Sequence, residues 1–357
     1  MKILHLIDSL NPGGAERMAV SYVNALTNQG VEAHLWATRE EGLLKETIAP
    51  GVHYRFLNRR GPLGLRALLK ASQLIEQQHI QLIHAHSTSW FFGTLLKWLN
   101  PSVKLIWHDH YGSRPQSLKQ ATKTLVFCSK YFSKVIAVNK DLVQWHQTHL
   151  RNIQSDYIPN FVSKKVVPVE ADLRCNTTNT IICVANLRKP KNHENLITAF
   201  SKVHKTASDW KLLLVGKTMK DSYTDAVYKS ITKESLSEAV TVLGERADVY
   251  KLLQQAEIGV LSSDMEGLPM TLLEYALSGL AVVTTDVGYC REVVQDFGKV
   301  LPPGNPEALA KALEHYISHP EERAKDAANL QRHVLENYTD EAVIPQVLKL
   351  YDDLLMN

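Results

Sequence analysis

Short apolar runs alternate with amphipathic stretches along almost the whole chain, and this alternation restricts the fold more than any single motif does. Residues 3–7, 32–37, 82–86, 104–108 and 135–138 read as strands. Between them, residues 16–29, 63–78 and 90–99 read as helices. Met18, Tyr22, Val23 and Leu26 share one face of the first, and Leu65, Leu68, Leu69, Leu74 and Ile75 are expected to face inward in the second. A second series follows, with strands at 180–185, 211–215, 240–243 and 281–286, a helix end running into a short buried strand within 256–263, and helices at 193–206, 226–234, 249–254 and 270–278. Helices at 306–319, 320–337 and 340–355 close the chain. Apolar strands that each lead into a helix belong to parallel sheets covered on both faces. The expected fold class is therefore α/β, with two Rossmann-like, doubly wound domains facing across a cleft.

The 357 residues suffice for two such domains. Charge divides the same way. Residues 1–165 carry 20 Lys and Arg against 10 Asp and Glu, a net +10, whereas residues 166–357 carry 20 against 27, a net −7. The linker is expected near 162–178, where Lys, Val and Pro give way to a polar run, and the domains are expected at 1–165 and 166–339. No apolar run approaches the roughly 20 residues that span a bilayer, and the first residues read as a buried strand rather than a leader. Four cysteines without paired spacing suggest reduced thiols, a cytoplasmic location and no zinc site. The basic first half suits an anionic acceptor or peripheral contact with an anionic membrane, for which Arg59, Arg60, Arg66 and Lys70 are candidates. Nothing points to nucleic acid.

Three loops carry candidate chemistry. In the first, Glu266 and Glu274 lie eight positions apart around Gly267, Leu268 and Pro269, with Pro269 suited to a helix start followed by Met270 and Thr271. The first amides of a helix and its dipole attract anions. In the second, Asn186 to Lys191 brings Arg188, Lys189 and Lys191 to a strand-to-helix connection, a cradle for a polyanion. In the third, Gly13 and Gly14 follow the first strand and let backbone approach a phosphate or sugar closely. The residues around Gly244 would give a base backbone and apolar contacts. Gly216-Lys217-Thr218 lacks the earlier glycine of a P-loop, because Lys211 stands there. His84 and His86 share a strand face and read as structural, whereas His108, at a strand's carboxyl end, is expected to face the cleft.

Gly13-Gly14 with Glu16, His84 with His86, His108, Ile158-Pro159-Asn160, Asn186 with Lys191-Asn192, and Glu266-Gly267-Leu268-Pro269 with Glu274 together resemble the family 4 retaining glycosyltransferases of GT-B fold. The resemblance implies that the first domain binds an acceptor, that the second binds a nucleotide sugar, and that the last helix, 340–357, packs back onto the first domain. It implies ribose binding by Glu274, a donor-sugar contact by Glu266 and a diphosphate grip by Lys191. The family's usual arginine falls at Asn186, and Arg188 is expected to replace it. Catalytic roles are thus expected of Glu266, His108, Lys191 and Arg188. Donor binding is expected of Gly13, Gly14, Asn186, Gly244, Gly267, Leu268, Pro269, Met270, Thr271 and Glu274. No Asp-x-Asp pair accompanies them, so transfer is expected to need no metal or other cofactor beyond the nucleotide-sugar donor, UDP being favoured over GDP. The acceptor would be a saccharide or lipid-linked saccharide of surface-polysaccharide synthesis. A sugar-nucleotide epimerase and a non-catalytic partner subunit are the alternatives.

Overall fold

The computed structural model describes residues 1–111, 122–151, 153–163, 179–246 and 248–356. The chain divides into two units, Met1–Ser163 together with Asp340–Asn357, and Lys164–Thr339. Most of the expected linker, 164–178, lies outside the described residues.

The first unit runs β1 (Lys2–Ser9), α1 (Gly14–Asn28), β2 (Glu32–Glu40), β3 (His53–Phe56), α2 (Leu65–Gln77), β4 (Leu82–His86), α3 (Trp90–Leu99), β5 (Lys104–Asp109), α4 (Lys123–Ser129), β6 (Lys134–Ala137), α5 (Lys140–His149) and β7 (Ser155–Tyr157). Its strands form one parallel sheet in the order β3-β2-β1-β4-β5-β6-β7. The order reverses direction between β1 and β4, the switch point at which open α/β sheets leave a crevice at the strands' carboxyl ends. Leu4, Leu6, Ile83, Ala85, Leu105 and Trp107 from the strands pack against Leu68, Ala71, Ile75, Phe92 and Leu96 from α2 and α3.

The second unit runs β8 (Thr180–Val184), α6 (His193–Thr206), β9 (Lys211–Val215), α7 (Ser222–Lys233), β10 (Val240–Gly244), α8 (Val249–Gln254), β11 (Ile258–Leu261), α9 (Met270–Leu277), β12 (Ala281–Thr285), α10 (Cys290–Val294), β13 (Lys299–Leu301), α11 (Pro306–Ser318) and α12 (Pro320–Asn337). Its parallel sheet has the order β10-β9-β8-β11-β12-β13, with the switch point between β8 and β11. Ile181, Leu212, Leu214, Ile258, Val260 and Val283 meet Leu196, Phe200, Leu313 and Tyr316 in its core. These architectures give the α/β class and the pair of Rossmann-like domains.

The last helix, α13 (Asp340–Met356), belongs to the first unit and packs against α1. Its start is fixed by Asp340 N–H donating to Val162 O (3.2 Å) and Ser163 Oγ donating to Asp340 Oδ2 (3.1 Å).

Arg59 corrects one sequence expectation. Its side chain is buried rather than offered to a membrane. It donates to Asp8 Oδ1 (2.8 Å) and Pro62 O (3.0 Å) and lies over the Phe92 ring (4.8 Å). A guanidinium with a carboxylate partner and an aromatic face at hand is held inside by both. Arg60, Arg66 and Lys70 are exposed. Leu65 and Leu69 also depart from expectation: each is 64% exposed rather than inward, because the core-facing stripe of α2 runs through Leu68, Ala71 and Ile75.

Candidate functional site

The loops that follow β8 and β11 flank the second switch point and are stitched to each other. Asn186 Oδ1 accepts from Lys217 N–H (2.9 Å), which ties the first loop to the end of β9. Pro190, after a cis Lys189–Pro190 bond, accepts from Asp264 N–H (2.8 Å). Asn192 caps α6 by accepting from Asn195 N–H (3.3 Å), and its amide donates to Asp264 Oδ1 (2.7 Å). Ser262 Oγ donates to Lys191 O and Asn192 O (3.2 Å each). These bonds leave Lys191 Nζ 2.6 Å from Glu266 Oε1, and Ser263 Oγ donates to the same oxygen at 2.6 Å. The ammonium is 21% exposed and the carboxylate 9%. Arg188 and Asn186 stand exposed on the same loop.

The amino end of α9 adjoins this pair in sequence. Pro269 is the cap residue (φ −76°, ψ 110°), and the helix begins at Met270, one position later than its suitability for the first turn predicts. Leu268 and Pro269 are buried, while Met270, Thr271 and Glu274 are half-buried. Thr271 Oγ1 donates to Val184 O (3.3 Å). Below it, Tyr275 Oη accepts from Val184 N–H (2.7 Å) and donates to Val260 O (3.1 Å), closing the gap between β8 and β11. Burial pushes the Tyr275 hydroxyl above its usual range and the Cys183 thiol up to about 12, so neither ionises at neutral pH. An ammonium, an exposed guanidinium and a helix start at the carboxyl ends of parallel strands have the chemistry that a phosphate-bearing ligand requires. Gly244 closes β10 with φ +69° and accepts from Gly216 N–H (2.9 Å).

Gly288 is a further positioning residue that sequence reasoning did not single out. It has φ +54°, and a Cβ there would lie 2.2 Å from Glu266 O and 2.6 Å from Gly267 O. The next residue, Tyr289, donates its N–H to Gly267 O (2.9 Å). Any side chain at 288 therefore displaces the Glu266 loop. Gly288→Ala is expected to leave the unit folded yet weaken nucleotide diphosphate binding at least tenfold, about 1.4 kcal/mol, in calorimetric titration. Unchanged affinity would separate the loop from the ligand.

The other predicted residues lie in the first unit. Gly13 caps α1 and Gly14 opens it. Glu16, half-buried beside them, has its carboxyl pushed upward by burial. His108 departs from expectation, because it is completely buried rather than open. The reason is that β5 is an inner strand and that α1 and α13 bring Tyr22 and Tyr351 against the histidine face. His84 and His86 stack with 4.5 Å between centroids and 4° between planes, and His108 stacks on His110 at 4.0 Å. Two triads here, His5–His84–His86 and His86–His108–His110, bring one ring nitrogen each within 4.8 Å, a spacing that a metal ion could use. The closest nitrogens, at 2.9–3.0 Å, are paired with one another in hydrogen bonds. A cavity of about 490 Å³ between β6, β7 and α13 contains none of the predicted residues.

Comparison with known proteins bears on both units. Residues 12–165 match the family model "Glycosyltransferase Family 4", and residues 170–333 match "Glycosyl transferases group 1". The lipopolysaccharide core biosynthesis mannosyltransferase LpcC of Rhizobium leguminosarum bv. viciae is 25% identical over 48% of this chain and 50% of its own length. An N-acetylgalactosaminyltransferase of Campylobacter jejuni acting on a diphospho-undecaprenol-linked sugar is 32% identical over 34% of this chain and 32% of its own. The chain thus spans about half or less of these two relatives. The amylovoran biosynthesis glycosyltransferase AmsD of Erwinia amylovora is 23% identical over 99% of both chains. Among solved structures, Anabaena HepE in complex with UDP superposes with a TM-score of 0.83 and 22% identity, covering 99% of this chain and 100% of that one. At that identity the likeness establishes the GT-B fold.

Proposed function

The chain belongs to glycosyltransferase family 4, a transferase family, and from that premise we propose that it moves a hexose-type sugar, with retention of configuration, from a UDP-sugar to a saccharide or lipid-linked saccharide. The observation that carries this reading is the Lys191–Glu266 pair at 2.6 Å between the two loops of the second switch point. Cleavage of a sugar–diphosphate bond builds negative charge on the leaving phosphate and positive charge on the anomeric carbon. Lys191, Arg188 and the first amides of α9 answer the first charge, and Glu266 answers the second. When a diphosphate arrives, Lys191 exchanges its bond to Glu266 for one to phosphate, which frees Glu266 to hold donor hydroxyls.

Glu274 binds the ribose, and the turn at Gly244 bounds the base. Gly13 and Gly14 add backbone contacts, and His108 orients an acceptor hydroxyl. The leaving phosphate takes the acceptor proton, so no separate base is required. The protein side chains supply the positive charge that a metal supplies elsewhere, and turnover is expected to survive a chelator. The UDP bound to HepE and the polyprenyl-linked acceptor named for the Campylobacter relative support the donor and acceptor classes.

A panel of nucleotide diphosphates and nucleotide sugars in thermal unfolding tests this directly, because a ligand bound by the native state raises the melting temperature. UDP and a UDP-sugar are expected to stabilise, and Glu274→Ala is expected to abolish most of the shift while the fold is kept. Conversion of the donor to an isomeric nucleotide sugar with no acceptor present would contradict transfer.

We place the protein at the cytoplasmic face of a membrane, as a peripheral partner. No described helix is long and apolar enough to cross one. The exposed face of α2 carries Leu65 and Leu69 (64% exposed each), with Leu63 before it and Arg60, Arg66 and Lys70 beside it. In flotation with anionic vesicles, binding is expected to fall as salt rises and to be lost in Leu65→Ser/Leu69→Ser. Flotation indifferent to both would remove the membrane from the account.

A further inference from the structure

The amino ends of β1, β2 and β3 lie at the opposite end of the first sheet from the turn at Gly13 and Gly14, and they gather three metal-ligating side chains. Parallel pairing sets Lys2 of β1 beside Glu32 of β2, and His34 of β2 beside His53 of β3. Glu32 and His34 are two positions apart, so both project from the same face of β2. The His34 and His53 rings stack with 4.7 Å between centroids and 25° between planes. Glu32 Oε1 lies 3.3 Å from His34 Nε2, and one ligating atom from each of Glu32, His34 and His53 lies within 4.8 Å of the other two.

We propose that the Glu32 carboxylate, His34 Nε2 and the His53 ring bind one zinc ion, with water in the fourth position, and that the ion ties the edge strand β3 to β2.

Spacing separates this group from the two triads of the histidine cluster. In a tetrahedral zinc site the ligands stand about 2.0–2.1 Å from the ion, which puts neighbouring ligand atoms about 3.3–3.4 Å apart. The Glu32–His34 separation has that value. The cluster's closest nitrogens, at 2.9–3.0 Å, stand at the length of hydrogen bonds and are used by them. Two imidazoles with one carboxylate suit zinc better than magnesium or calcium, which take oxygen ligands. His34 is 2% exposed and its ring is held in place, whereas His53 is exposed and its ring can swing to close the remaining gap. β3 is a strand of 4 residues at the sheet edge, so a tie at its first residue acts where the sheet has least support.

The ion has one competitor to displace and one proton to move. Lys2 Nζ lies 3.2 Å from the same Glu32 oxygen. Both side chains are more than a third exposed, at 38% and 37%, and an ion pair so open to water is weak, so a divalent ion displaces the ammonium. The proton of His34 must pass from Nε2 to Nδ1. Nδ1 is buried without a partner among the described residues and is unsatisfied in either tautomer, so the exchange gives up only the bond to Glu32. The ion replaces that bond with its own to both groups.

Calorimetric titration of the chelator-treated full chain with zinc chloride at pH 7.5 tests the site with neither donor nor acceptor present. One zinc per chain is expected to bind, and saturating zinc is expected to raise the melting temperature by about 5 °C. His53→Ala and Glu32→Gln are each expected to weaken binding by about tenfold or more. Lys2→Ala removes the competing ammonium and is expected to strengthen binding by about threefold. None of these three side chains is buried, so the variants keep the fold. The absence of saturable binding to the native chain would overturn the proposal. So would zinc held with equal affinity by the native chain, His53→Ala and Glu32→Gln, which puts the ion elsewhere, or binding that is unchanged or weaker in Lys2→Ala.

Discussion

Lowering the pH from 7.5 to 5.5 is expected to cost the first unit about 7 kcal/mol of stability, roughly 1.4 kcal/mol for each of five histidines. In the native state burial depresses these groups, His5 to about 3 and His110 to about 4, whereas in the unfolded chain each titrates near its ordinary value of 6.5. Below that value the unfolded state binds protons that the native state refuses. The stability is therefore fully present above about pH 6.5 and is lost as the pH falls through 6.5 towards the native values. The loss is comparable with the whole stability of an ordinary domain, about 5–15 kcal/mol. Glu16, raised by burial, has the opposite sign, because its native state holds the proton more tightly than the unfolded chain does. The second unit has one strongly depressed histidine, His193 at about 4, and is expected to lose about one fifth as much over the same range. Urea titrations at pH 7.5, 6.5 and 5.5 check this. A midpoint for the first unit that falls steeply while that of the second moves little is the expected result, and two parallel, nearly flat dependences would contradict the buried neutral cluster.

Removing Lys191 is expected to have the largest effect on chemistry. Lys191→Ala should lower kcat/KM by about 10²–10³, the magnitude that follows loss of one group stabilising charge developed in a transition state. Two effects combine in this variant. The leaving phosphate loses the ammonium proposed to stabilise it, and Glu266, 9% exposed, loses its ion-pair partner. Glu266→Ala is expected to abolish most transfer while nucleotide diphosphate still binds, because the proposed diphosphate grip lies with Lys191 and the start of α9. The double variant should be little worse than the poorer single one, since residues acting as a unit are not additive. Steady-state kinetics with an intact UDP-sugar, paired with calorimetric binding of UDP, separates the roles. Equal and small effects of Lys191→Ala and Glu266→Ala on both readouts would contradict them.

The sequence pattern made the alternating strands and helices legible because both sheets are buried on two faces and their strands read as nearly unbroken apolar runs. The helices with clear signals were placed well: Trp90–Leu99, His193–Thr206, Val249–Gln254 and Pro320–Asn337 have the expected limits. Weaker signals were passed over. α7 starts at Ser222 because Asp221 accepts from Thr224 N–H (3.0 Å), a cap that precedes the apolar part of the helix. β3, α4, α5, β7, α10 and β13 are short or polar, and only tertiary packing decides them.

In the second unit, the fold brings Lys191 and Glu266, 75 positions apart, to one site by placing two loops at adjacent strand ends. The parts of that site were visible in the chain, but their pairing was not. The histidine cluster lay further from reach. His84, His86 and His108 could be placed on strands, yet His5 meets Tyr351 across 346 positions, and no local pattern forecasts that contact or the burial of His108 that follows from it.

A structure of the protein bound to UDP is the most direct measurement of the central claim. The diphosphate is expected against Lys191 and the first turn of α9, with Lys191 turned from Glu266 to a phosphate oxygen and the ribose hydroxyls on Glu274. A nucleotide seated elsewhere, with the 2.6 Å Lys191–Glu266 pair undisturbed, would contradict it.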